Sequence, residues 1–408
     1  MKKRILIVNP ISLFPQIMAS QVRIYNMIKT FFKEHIVDVV TYISSKKQLE
    51  ESKKKLIGVC HNFYPILVPN RKENKLGRFY YRLNYEIQRK VNHISSRFFY
   101  RSMPKLIKQI AEIAETNRYD IVQITHWYQG ELFNKLFYKP FFSIDTQDVH
   151  FDKKEKELKS KYGNKISKSH SLELEKYKKQ ELKYTGLADL IISISSNDKI
   201  FFENYFPTKK HILIPSGVDL EHFNNVKKNY SQNKTILFYG GMGSKQNINA
   251  FYRLWEDILP IIKNKIPEVK LKVVGSNSPE SIKRLNNGRD VIVTGYVEDV
   301  RNHISQTDIM ILPMEIAGGF RCRVVEVMAM GIPVIGTHNA LDCIGLEHGK
   351  HGFISDNNNE MAEYAVNLLN NNKLMDKLSE NCIEFVRENY SFEKTYRKLS
   401  EYYMNEVI

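Results

Sequence analysis

Cysteine is scarce in this 408-residue chain: Cys60, Cys322, Cys343 and Cys382 are far apart and form no Cys-x-x-Cys pair. That spacing argues against a disulfide scaffold or a zinc site and fits a reducing, cytoplasmic compartment. Long apolar runs are also missing, and none approaches the ~20 residues that span a bilayer. The N-terminus MKKRILIVNP has the positive start of a signal peptide, but its apolar stretch is only Ile5 to Val8, too short for a leader core. It reads as a first β-strand. No Gly-x-Gly-x-x-Gly follows that strand, which runs into NPISLFP, so the turn of a nicotinamide-dependent dehydrogenase is missing. Asp-x-Asp after a strand is missing too; DTQD (145–148) has a different spacing. Acidic residues are outnumbered, 45 Asp and Glu against 61 Lys and Arg, which gives a formal charge of +16 and predicts attraction to something anionic.

Hydrophobic residues at 42 % and aromatic residues at 12 % are those of a globular protein, and the length suits two domains of about 200 residues each. The first half alternates short apolar runs with helix-like stretches. Strands are expected at 4–10, 35–43, 119–126, 141–148, 188–195 and 210–217, and helices at 20–34, 101–116 and 169–186. The second half restarts the pattern, with strands at 234–241, 269–276, 290–296, 308–313, 332–337 and 352–356. Helices fit near 247–264 and at 358–371 and 373–388. This alternation predicts an α/β fold of two doubly wound parallel sheets, with ligands in the cleft outside the carboxyl ends of the strands. The expected divisions are an N-terminal domain at 1–215, a hinge at 216–233 and a second domain at 234–388. A C-terminal helix at 389–408 is expected to return to the N-terminal domain.

One segment carries most of the chemistry. After strand DIMILP, MEIAGGF leads into a helix predicted to begin near Arg323 or Val324. A Gly-Gly pair before a helix lets the backbone approach an anion, and first-turn N–H groups attract phosphate. Arg321 and Arg323 flank that turn as partners for diphosphate oxygens. Glu326, one turn on, is placed to accept hydrogen bonds from ribose hydroxyls. The same residue types also occur in ordinary loops with solvated arginines.

The run GGFRCRVVEVMAMGIPVIG (318–336) resembles the C-terminal signature of family-4 glycosyltransferases of the GT-B fold. IPSGVDLEHF (214–223) resembles that family's hinge segment, and FYGGMGSKQNINA (238–250) its first C-domain strand and turn. VTGYVEDV (293–300) resembles the turn lining its base pocket, YSFEKTYRKL (390–399) its final helix, and SQVRIYNMI (20–28) a sub-group pattern. The resemblance implies two Rossmann-like domains facing an interdomain cleft, with residues 1–215 binding the acceptor and residues 234–388 the nucleotide sugar. It also implies retaining transfer of a sugar from a nucleotide diphosphate to an acceptor hydroxyl, without a bound metal or other cofactor. Donor contacts are implied for Gly240, Gly241, Lys245, Tyr296, Val297, Glu315, Gly318, Gly319, Phe320, Arg321, Arg323, Val324, Val325 and Glu326. The sequence departs from the family pattern at Gly318, where the first of two paired glutamates would stand. A sub-group with Gly-Gly-Thr-Arg-Leu-Lys at this point also lacks it, and Glu315 is an alternative from the same loop. The family's Arg and Lys after the first C-domain strand are represented only by Gly241 and Lys245.

His126 and His150 follow N-domain strands at their carboxyl ends, where a histidine can bond a donor sugar or accept the proton of an acceptor hydroxyl. Each is equally readable as a loop histidine bonded to backbone. Arg23, one turn into the first helix, is a third candidate, for the diphosphate. Residues 71–108 interleave Arg71, Lys72, Arg78, Arg82, Arg89, Arg97 and Arg101 with Phe79, Tyr80, Tyr81, Phe98 and Tyr100. That pattern suits a peripheral segment on anionic lipid at the inner face of the membrane, or a solvated helical surface whose aromatics are core. Nucleic acid is disfavoured because no recognised module accompanies the charge. The expected partners are a nucleotide-sugar donor and an acceptor glycan or lipid-linked sugar, as in surface polysaccharide synthesis. The competing reading of another class is a non-catalytic sugar-nucleotide-binding partner.

Overall fold

A computed structural model describes residues 2–16, 18–68, 104–163, 165–224, 234–316 and 320–407. The chain forms two compact units, residues 1–215 with 396–408, and residues 216–395. Each is built on one all-parallel sheet with helical crossovers, the Rossmann-like arrangement expected.

The first sheet has seven strands in the order β3-β2-β1-β4-β5-β6-β7. These are β1 (Arg4–Asn9), β2 (Ile36–Ile43), β3 (Asn62–Leu67), β4 (Ile121–Thr125), β5 (Phe141–Asp145), β6 (Leu190–Ser193) and β7 (Lys210–Leu213). Central strands such as β1 and β4 are buried along nearly their whole length, as in a sheet covered on both faces. Helix Ala19–Phe32 turns Ile24, Met27, Ile28 and Phe31 onto the sheet at helical spacing. Strand β3 and helix Lys46–Leu56 were not foreseen. NFYPIL contains Pro65, which cannot donate to a ladder, and β3 sits at the sheet edge, where proline is tolerated.

The second sheet has six strands in the order β10-β9-β8-β11-β12-β13. They are β8 (Thr235–Tyr239), β9 (Lys270–Val274), β10 (Val291–Gly295), β11 (Ile309–Leu312), β12 (Val334–Gly336) and β13 (Gly352–Ile354). The helix foreseen near 247–264 is interrupted. Lys245–Tyr252 passes through a π-helical stretch, Arg253–Ile258, before Leu259–Lys265. Pro260 has no N–H for the regular ladder, so the chain widens by a residue there.

Of the segment expected as a hinge, Ser216–Asn224 belongs to the second unit. Val218 N donates to the Tyr390 carbonyl at 2.7 Å and Phe392 N to the Val218 carbonyl at 3.2 Å. Residues 225–233 lie outside the described residues. In the last helix, Phe392–Glu406, the division falls at Tyr396. Beyond it Leu399 and Tyr403 are buried, and Tyr403 Oη bonds Ser143 Oγ at 2.6 Å and Gln123 Oε1 at 2.8 Å.

Candidate functional site

At the carboxyl edge of the second sheet, β8 and β9 are each followed directly by a glycine, Gly240 and Gly275, and β10 ends in Gly295. Hydrogen bonding continues past the strands, from Gly240 N to the Val274 carbonyl (2.9 Å), Gly275 N to Gly295 (3.2 Å) and Met242 N to Ser276 (2.8 Å). The glycines are there for proximity. A Cβ on Gly275 would lie 2.6 Å from the Gly240 carbonyl carbon, and one on Gly240 would lie 3.0 Å from Cζ of Arg323. The turn is therefore bare backbone with a guanidinium lying against it.

Arg323 is in the first turn of helix Cys322–Ala329. Its Nη2 donates to Asn247 Oδ1 at 3.0 Å, and Asn247 Nδ2 donates to the Gly241 carbonyl at 2.6 Å, so Asn247 ties the arginine to the glycine turn. Arg323 Nε has no hydrogen-bond partner among the described residues. Burial, reinforced by the neighbouring charge of Arg321, lowers its pKa to about 10. Two guanidiniums held close at a helix N-terminus form a site that an anion relieves.

Glu326, one turn further along, accepts from Tyr239 Oη at 3.0 Å through Oε2. Burial raises its pKa, opposed by the Tyr239 hydrogen bond and the Arg323 charge. One carboxylate, one phenol and the Arg323 guanidinium thus meet beside the glycine turn.

The other expected donor contacts are distributed unevenly. Lys245 is exposed at the start of its helix, Tyr296 is 79 % exposed after β10, and Val297 is half-buried. Glu315 is exposed, its carbonyl held by Asn339 Nδ2 at 2.6 Å. Gly318 and Gly319 lie outside the described residues. The side chains of Val324 and Val325 are buried in the core, and Phe320 packs against Tyr390 with ring centroids 5.4 Å apart. A helix that docks on its sheet must bury one face, and Val324 and Val325 lie on that face. The Val324 N–H is also occupied, by the Arg321 carbonyl at 2.9 Å.

The first unit has its own polar cluster at the carboxyl ends of β4 and β5. His126 follows β4 with φ of 74°, a conformation rare for a residue with a side chain and often associated with functional sites. Its Nδ1 lies 3.2 Å from Nε2 of His150, whose Nδ1 is 3.2 Å from Tyr128 Oη; Tyr128 Oη in turn bonds Tyr177 Oη at 2.8 Å. His150 opens helix His150–Tyr162. Glu181 caps that helix from outside, accepting from His150 N and Phe151 N, both at 2.8 Å. Burial pushes Glu181 up to about 8 and Asp198, which also reaches this turn through Val149, up to about 6. The two histidines are thus brought together. Arg23 is not part of this cluster. It is 1 % exposed, bonded to both Asp145 oxygens at 3.1 Å and to the Pro215 carbonyl at 2.7 Å. Its guanidinium is engaged in a buried ion pair with Asp145.

Tyr239, Asn247, Tyr128 and Glu181 were missed. Tyr239 had a signal, since it stands between a buried strand and a Gly-Gly turn. Glu181 had none: it is one glutamate in a lysine-rich helix. Among the described residues no group of three or more His, Cys, Asp or Glu side chains is arranged to hold a metal ion, and no helix is long and apolar enough to cross a membrane.

Residues 233–371 match the family described as Glycosyl transferases group 1. A relative from Klebsiella pneumoniae, an uncharacterized 44.6 kDa protein in a cps region, is 22 % identical over 216 residues, 50 % of this chain and 56 % of that one. The Escherichia coli UDP-Gal:alpha-D-GlcNAc-diphosphoundecaprenol alpha-1,3-galactosyltransferase is 23 % identical over 255 residues, 57 % of this chain and 64 % of that one. The chain therefore spans between half and two thirds of the length of these relatives. Among solved structures, Anabaena HepE in complex with UDP and glucose superposes with a TM-score of 0.63 at 13 % identity, covering 98 % of both chains. The architecture is GT-B.

Proposed function

We propose that the chain is a glycosyltransferase that moves a sugar from a nucleotide-diphosphate donor to an acceptor hydroxyl, with retention of configuration, in surface polysaccharide or glycoconjugate synthesis. The observation that carries this reading is the grouping of Gly240, Gly241, Arg323 and Glu326 at one sheet edge, inside the segment that matches the group 1 family. The cps-region and galactosyltransferase relatives favour the polysaccharide context.

In this reading the diphosphate lies over the glycine turn, and Arg321, Arg323 and the helix N-terminus meet its charge. As the bond from the sugar carbon to diphosphate oxygen breaks, negative charge grows on the leaving group, and fixed cations in a partly dry site stabilise it without reorganising. These groups supply the electrostatics a divalent ion would otherwise provide, so no metal is required. Glu326 holds the ribose. The acceptor oxygen bonds to the sugar carbon and its proton passes to a base, for which His126 and His150 are the candidate groups. The lysine- and arginine-rich residues 71–108, largely outside the described residues, are the proposed contact with anionic lipid at the inner face of the membrane.

Glu326→Ala tests the assignment. Donor affinity and turnover are expected to fall by about tenfold or more, the worth of a hydrogen bond to a charged group. Unchanged donor affinity refutes it. The second reading, a non-catalytic sugar-nucleotide-binding partner, draws on Gly318, which stands where a glutamate is expected. Donor binding without transfer or hydrolysis would establish it.

A further inference from the structure

We propose that Tyr239 is a positioning residue that fixes which oxygen of Glu326 meets the ribose, and thereby sets discrimination between ribonucleotides and 2′-deoxyribonucleotides. This rests on Glu326 as the ribose contact and deepens that reading.

The argument starts from freedom. A glutamate has three side-chain torsions, and an unrestrained carboxylate presents either oxygen in many directions. Fixing such a chain costs conformational entropy, which a ligand must meet if the protein has not. Tyr239 removes that cost in advance. It closes β8, whose preceding residues from Thr235 to Phe238 are buried, so its ring is anchored by the sheet. Its hydroxyl donates to Glu326 Oε2 at 3.0 Å.

That bond has a direction with consequences. Oε2 is taken by a donor that belongs to the protein, which leaves Oε1 as the oxygen to accept from a ligand hydroxyl. The other charged group near the carboxylate is Arg323, which is turned toward Asn247 and the glycine turn. The chain then continues directly into Gly240 and Gly241, the bare backbone on which a diphosphate lies. The residue that positions the ribose contact and the turn that receives the diphosphate are therefore adjacent on the same strand end. A carboxylate offering one fixed acceptor rewards a sugar that brings a hydroxyl to it and penalises one that does not.

The test is a double-mutant cycle on the full chain. Calorimetry measures the affinities of UDP, GDP, ADP and CDP and of their 2′-deoxy forms for the parent, Tyr239→Phe, Glu326→Gln and the double variant. For the diphosphate that the parent binds best, each single variant is expected to bind about tenfold more weakly, with its ribo-to-deoxy preference falling toward one. The double variant should be no weaker than Glu326→Gln alone, because Tyr239 acts only through that carboxylate. Tyr239→Phe with unchanged affinity and preference, while Glu326→Gln is weakened, overturns the positioning role and leaves the ribose contact standing. A double variant that loses the product of both effects also overturns it, since Tyr239 then acts independently. Unchanged binding in Glu326→Gln, or no binding of any diphosphate to the parent, overturns the donor-site reading itself.

Discussion

Two glycines of the second unit, given the same added methyl group, should fail in different ways. A Cβ on Gly240 meets the guanidinium of Arg323, with Cζ at 3.0 Å and Nη1 well inside contact distance. That guanidinium ends a long flexible side chain, so it swings aside. The fold survives, at a cost of about 1–2 kcal/mol from the lost Arg323–Asn247 bond, with backbone strain at the Gly240 φ of 158° added to it. What is lost is position: Arg323 no longer lies over the turn, and nucleoside diphosphate affinity should fall by about 10- to 100-fold. On Gly275 the new Cβ meets backbone instead, 2.6 Å from the Gly240 carbonyl carbon and 3.2 Å from Gly241 N. Relief requires separating β8 from β9 where Gly240 N bonds Val274 and Met242 N bonds Ser276. Overpacking of about 1–3 kcal/mol, plus roughly 1 kcal/mol for each bond lost, gives a destabilisation of at least about 3 kcal/mol. Urea unfolding reads the stabilities and calorimetry the affinities. The reasoning is refuted if Gly240→Ala binds diphosphate like the parent, or if Gly275→Ala unfolds at the parent's urea midpoint.

Glu181 supplies a pH prediction. Its folded pKa, about 8, lies above the unfolded value, so the fold favours the protonated carboxyl, and this contribution fades as pH rises from about 5 toward 8. The parent's advantage in melting temperature over Glu181→Gln, which does not titrate, should therefore shrink across that range; a constant or growing advantage contradicts the assignment. Turnover should survive a chelator such as EDTA, and a loss restored by magnesium would refute metal-independent transfer. The parent should bind vesicles containing phosphatidylglycerol, and less so once Arg71, Lys72, Arg78, Arg82 and Arg89 are changed to Gln. A parent that does not bind such vesicles ends the membrane proposal.

Much of the fold was legible because buried parallel strands announce themselves as short continuous apolar runs. RILIVN and IMIL could hardly be anything else between polar helices. Strand β3 was not legible, because Pro65 is a contrary local signal that only an edge position resolves. The π-helical stretch before Leu259 was hidden for a related reason: hydrophobic spacing reports which face is buried, not how many residues make a turn.

At the site, the sequence alone put forward Arg321, Arg323 and Glu326 as one group at a helix start, since close backbone approach and anion charge call for those residue types in that order. It also brought forward His126 and His150 as strand-end residues. Only the tertiary structure decided that these histidines meet at 3.2 Å, that Arg23 is spent on Asp145, and that Val324, Val325 and Phe320 face the core. It alone paired Tyr239 with Glu326 across 87 positions of sequence. Residue type and local spacing determine what chemistry a side chain has to offer. Which partner consumes or frees that chemistry depends on contacts between distant strands and helices, and those are set only when the sheets assemble.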